Sequence, residues 1–67
     1  MSKSKSVVET QFLREKRWVL TSREDALRII AEEMPETDVE GTLAYILSAT
    51  KEGKTVMLGE CRFRQIR

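Results

Sequence analysis

A single proline, Pro35, stands between two amphipathic stretches that each carry their own start signal, and this limits the middle of the chain to two separate helices. The first is announced by Thr21-x-x-Glu24, a capping-box spacing in which the hydroxyl takes a backbone amide and the carboxylate returns to the cap's own N–H. Ser22 with Asp25 offers the same device one residue later. Leu27, Ile30, Ala31 and Met34 then fall at i, i+3, i+4 and i+7, with Ala26 and Ile29 widening the stripe. The ring of Pro35 disfavours helical geometry at Met34 and ends the element. The second helix opens on Thr37-x-x-Glu40, turns Val39, Leu43, Ile46, Leu47 and Thr50 inward, and closes with Lys51 in its last turn and Gly53 just beyond.

Both flanks read as extended. Val7, Val8, Thr10, Phe12, Trp18 and Val19 favour strands, but one strand over residues 6–20 would span roughly 50 Å, far beyond ordinary length. The charged run Arg14-Glu15-Lys16-Arg17 is where it turns or bends, giving strands near 7–13 and 17–21; a single bent strand is the alternative. At the other end, a two-residue turn at Gly59-Glu60 sets Val56 opposite Phe63 and Leu58 opposite Cys61. That register puts Val56, Leu58, Cys61 and Phe63 on one face and Thr55, Met57, Arg62 and Arg64 on the other, whereas one straight strand would mix Leu58 with charges.

The expected architecture is therefore α+β in the order β-β-α-α-β-β, a small two-layer domain with two helices on one face of an antiparallel sheet. Residues 1–5, Ser/Lys-rich and without apolar periodicity, read as a disordered basic tail, and residues 6–67 as one domain. Sixty-seven residues bury only about 60% of their unfolded surface and leave about 3–5 kcal/mol from a single core. One cysteine, no histidine and no cluster of metal ligands leave no covalent or metal staple, so a homodimer is expected. With no long apolar run and no signal-peptide core after Met1, the expectation is a soluble cytoplasmic protein without cofactor or metal.

No constellation for catalysis stands out. Cys61 lacks a histidine partner and falls among apolar hairpin residues, which suits a small core side chain better than a nucleophile. Glu32-Glu33 and Asp38-x-Glu40 are accounted for by a solvated face and a helix cap, and the three glycines form no phosphate loop. A non-enzymatic protein is expected. Two helices followed by a hairpin suggest a winged-helix arrangement, but residues 38–50 hold no Arg, Lys, Asn or Gln to read bases and open with two acids.

Two surfaces remain. Net charge is only +1, yet residues 1–20 and 42–67 each carry five basic and two acidic groups, while residues 21–41 carry two basic and seven acidic. If the two ends share a sheet, Arg14, Lys16, Arg17, Arg62, Arg64 and Arg67, joined by Lys3 and Lys5, form a basic β-ribbon suited to the phosphates of DNA or RNA. Phe12, Phe63 and Trp18 have the chemistry to stack on bases, although core burial suits each better. The other surface is the outer side of the second helix, where Gly41, Ala44, Tyr45 and Ser48 make a charge-poor contact face. The expected function is a small regulatory protein that binds nucleic acid through the basic ribbon. The alternative is a protein-binding adaptor or inhibitor of phage or plasmid type, acting through the second helix or a sheet edge.

Overall fold

The computed structural model describes residues 5–66 and has the expected order: β1 (Ser6–Phe12), β2 (Val19–Ser22), α1 (Arg23–Glu33), α2 (Val39–Lys51), β3 (Val56–Leu58) and β4 (Cys61–Arg64). The Lys3 and Arg67 expectations and most of the basic tail fall outside the described residues. Four antiparallel strands form one sheet in the order β2-β1-β4-β3, and both helices pack on the same face. Residues 6–22 are a hairpin rather than one bent strand, since β1 pairs with β2 along its length and the charged segment forms the connection. Among the described residues, no helix is long and apolar enough to cross a membrane.

Both helix starts sit one residue later than the first capping boxes suggest, for a common reason: each threonine hydroxyl has another partner. Ser22 caps α1 by accepting from the Asp25 amide at 3.2 Å, while Thr21 is a buried residue of β2. Asp38 caps α2 by accepting from the Gly41 amide at 3.2 Å, while Thr37 shares a hydrogen bond with Thr42. The far end of α2 closes as a Schellman motif, in which the Gly53 and Lys54 amides donate to the carbonyls of Thr50 and Ala49.

The C-terminal hairpin has the register expected of it, with Val56 facing Phe63, Met57 facing Arg62 and Leu58 facing Cys61. Gly59 takes φ +58° and Glu60 does not take a positive φ, which identifies a II′ turn, the form whose twist suits a two-residue hairpin. Glu33 at the end of α1 accepts from the Glu60 amide at 2.9 Å and so fastens the helix to this turn. To reach it, α1 turns its buried face toward Ala26, Ile30 and the half-buried Glu33. Ala31 and Met34, expected inside, are exposed.

The core is Val8, Ala26, Ile30, Leu43, Ile46, Cys61 and Phe63, with Phe63 its largest fully buried side chain. Beside it lies a buried polar pair, Thr10 and Thr21, whose hydroxyl oxygens are 2.7 Å apart. Thr21 also donates to the Val19 carbonyl at 3.0 Å. A hydroxyl has one proton to give, so Thr10 must be the donor in the Thr10–Thr21 bond. This direction makes the two threonines unequal. Thr21→Val orphans a buried donor and should cost about 1–3 kcal/mol, Thr10→Val should cost about 1 kcal/mol or less, and the double variant should be more stable than Thr21→Val alone. Urea denaturation of the three variants checks the order.

Candidate nucleic-acid interface

Strand alternation gives the sheet one face for the helices and one without cover. Thr10, Cys61 and Phe63 point inward, so their neighbours Glu9, Gln11, Arg62 and Arg64 point outward. Register extends the outer face in two rows: Leu20, Glu9 and Arg64 across one, and Gln11, Arg62 and Met57 across the other. Trp18, just before β2, reaches over this face as well. Its ring centroid lies 4.1 Å from the guanidinium carbon of Arg64.

Arg64, expected beside Arg62 in the basic ribbon, is held rather than free. Its Nε donates to Glu9 Oε1 at 2.7 Å, and the two side chains keep only 25% and 15% of their exposure. Trp18, expected in the core, is half-buried on the outer face, packed through its π-face on this cation. Phe63 is fully buried and Phe12 half-buried against the core, so neither presents a ring to a ligand. Arg62 is half-buried and makes no ion pair among the described residues.

The connection between β1 and β2 brings more basic groups to the same end of the sheet. Arg14, Lys16 and Arg17 are exposed there. The Leu13 amide donates to the Glu60 carbonyl at 2.9 Å, and the Glu15 amide and carboxylate both bond back to Phe12, so this turn is tied to the tip of the C-terminal hairpin. Arg62 lies two residues from that tip. The backbone thus brings Arg14, Lys16, Arg17 and Arg62 to one end of the sheet. Lys5 is exposed at the opposite end of β1.

Charge is divided between the layers. Residues 5–22 and 52–66, which build the sheet and its connections, hold seven basic and four acidic groups; residues 23–51 hold three basic and seven acidic. The sheet layer therefore carries a net positive charge and the helical layer a net negative one.

On α2, Gly41, Ala44, Tyr45 and Ser48 share one exposed side, with Tyr45 at 65% of full exposure. Gly41 also has a local reason: a Cβ there would run into the Asp38 carboxylate that caps the helix. Cys61 is buried, and burial pushes its thiol up from 9.0 to about 11, opposed by a hydrogen bond from the Gln11 backbone and reinforced by the negative charges of Glu33 and Glu15. The thiol stays protonated at neutral pH and lacks the thiolate character a nucleophile needs. Met57, sorted outward from the sequence, and Leu20, which sequence reasoning missed, belong to the sheet's outer face, where they are 54% and 59% exposed. The alternation that sorts Met57 outward also sorts Leu20, once β1 and β2 are paired.

Comparison with protein-family models, curated proteins and solved structures finds no match to this chain.

The unequal settings of the two outer-face arginines give a direct check. Arg64→Ala leaves the Glu9 carboxylate unpaired and uncovers Trp18, so it should lower stability by about 1–2 kcal/mol and shift the emission of this lone tryptophan to the red. Arg62→Ala should change stability by less than about 0.5 kcal/mol and leave the emission in place. Denaturant titration followed by tryptophan fluorescence reads both.

Proposed function

We propose that the protein is a small non-enzymatic regulator that binds single-stranded nucleic acid on the uncovered face of its sheet. The observation that carries this reading is the placement of Arg14, Lys16, Arg17 and Arg62 at one end of a sheet whose outer face also holds Trp18, with most of the acidic groups in the helical layer. A flat face with an aromatic ring and a basic rim suits splayed nucleotides: bases stack or lie against Trp18, Leu20 and Met57, while guanidinium and ammonium groups meet phosphates. In this reading Arg64 is a positioning residue. Its charge is matched by Glu9, and its work is to hold the Trp18 ring over the sheet.

A second reading has one observation in its favour. Leu20 and Met57 add exposed apolar area to a face that already holds Trp and Arg, the residue types enriched where proteins meet proteins. An adaptor that uses this face needs no phosphate.

Salt separates the two. Fluorescence anisotropy with labelled dT and rU 20-mers, and with a duplex as control, should show binding to the single strands that weakens from about 50 to about 200 mM salt. Arg14→Ala/Lys16→Ala/Arg17→Ala should weaken binding on all single strands and lower the log–log salt slope by about 0.7 for each phosphate no longer neutralised. Absence of binding at about 50 mM salt would remove the nucleic-acid reading in favour of the adaptor.

A further inference from the structure

The two rows of the sheet's outer face differ in what their polar groups still have to give. In the row of Leu20, Glu9 and Arg64, the carboxylate and the guanidinium satisfy each other at 2.7 Å, and the Trp18 ring stacks on the cation. In the next row, Gln11 and Arg62 are Cα partners in the β1–β4 ladder, so their side chains leave the same face side by side. Both are half-buried, and neither side chain makes a hydrogen bond or an ion pair among the described residues. Trp18 comes one step past the Thr10–Val19 pair, the step that Gln11 takes on β1, and Met57 is the Cα partner of Arg62 on the other side. This row therefore holds two unspent hydrogen-bonding groups between a ring and a thioether.

A guanidinium offers only donors, in a planar fork that sets two of them parallel, while a carboxamide beside it can supply an acceptor. Together they present donor, donor, acceptor. The complement, acceptor, acceptor, donor, lies along one edge of guanine (N7, O6, N1–H) and one edge of cytosine (O2, N3, N4–H). Adenine, thymine and uracil run acceptor, donor, acceptor, which sets an N–H of the base against the fork.

We infer that Gln11 and Arg62 read the bases of a bound single strand, taking guanine first and cytosine second in preference to adenine, thymine and uracil. The inference rests on the single-strand reading above and adds a choice of base to it. Arg62 donates through its fork to N7 and O6 of guanine, and the Gln11 carbonyl accepts from N1–H. A base standing on this row has the Trp18 ring beside it, where that ring reaches over Arg64 in the neighbouring row. A two-ring purine covers more of the indole than cytosine does, which puts guanine first. Because Arg64 already lies on one face of the ring, Trp18 takes one base at most. Contacts of Arg14, Lys16 and Arg17 with phosphates stay blind to sequence.

DNA heptamers with one guanine, cytosine, adenine or 7-deazaguanine at the centre of a thymine tract, and the all-thymine heptamer, test this by competition against a labelled dT 20-mer at about 50 mM salt. The guanine heptamer should compete about fivefold to hundredfold better than the all-thymine one, the range of a bidentate base contact. Adenine should match thymine. 7-Deazaguanine lacks the N7 acceptor and should lose most of the gain, a result read on the wild-type chain and so independent of how any variant folds. Arg62→Lys keeps the charge and loses the fork; it should bring the guanine heptamer down to the thymine level while the affinity for the thymine tract and its salt slope hold. Salt-sensitive binding that is equal for all the heptamers overturns base reading and leaves the single-strand reading standing, whereas failure to bind the 20-mer removes both. Tightest binding of adenine, or a guanine preference that survives both 7-deazaguanine and Arg62→Lys, also overturns the inference.

Discussion

The pairing of β1 with β4 holds the two ends of the chain together, and every other feature depends on it. Glu9 through Phe12 lie opposite Arg64 through Cys61, so this ladder closes a loop of about fifty residues, at an entropic cost of about 3 kcal/mol beyond that of short turns. The two hairpins are local and form on short turns. What offsets the long closure is burial at the ladder itself: Val8, Cys61 and Phe63 reach zero exposure only when both helices lie across the joined strands. The helices in turn have no other apolar surface to cover. In so small a chain the ladder and the core are one cooperative unit.

This explains which parts of the fold were legible in the sequence. Elements set by local chemistry were readable: the proline break, the second helix with its closing Gly53, and the Gly59-Glu60 turn that fixes the Val56–Phe63 register. The Arg14–Arg17 run marked the first turn because charge cannot stay within a half-buried strand. Boundaries failed where a side chain had a tertiary use. Thr21 reads as a cap until β1 supplies Thr10 as its partner, and Met34 reads as core until Glu33 is drawn to the hairpin tip. Such partners are eleven and twenty-seven residues away in sequence, beyond the reach of spacing rules.

The candidate site was legible to the same degree. Alternation correctly sorted Arg62 and Arg64 onto one face, and composition marked both ends of the chain as basic. That Arg64 is matched by Glu9 depends on the β1–β4 register, because the two residues are fifty-five positions apart. The place of Trp18 follows from the same ladder: the cation on β4 gives the ring somewhere to lie outside the core. One face of the sheet is thus used for folding and the other is left uncovered, because strand alternation keeps their residues separate; the uncovered face is the one we propose for binding.

The division of labour between the faces is tested most directly by amide and indole chemical-shift mapping with a short oligo-dT or oligo-rU added at low salt. Shifts should concentrate at Gln11, Arg14, Lys16, Arg17, the Trp18 indole, Met57 and Arg62, and fade as salt is added, while Ala44, Tyr45 and Ser48 on the outer side of α2 stay still. Shifts centred on α2, or none on the sheet's outer face at saturating oligonucleotide, would contradict this division.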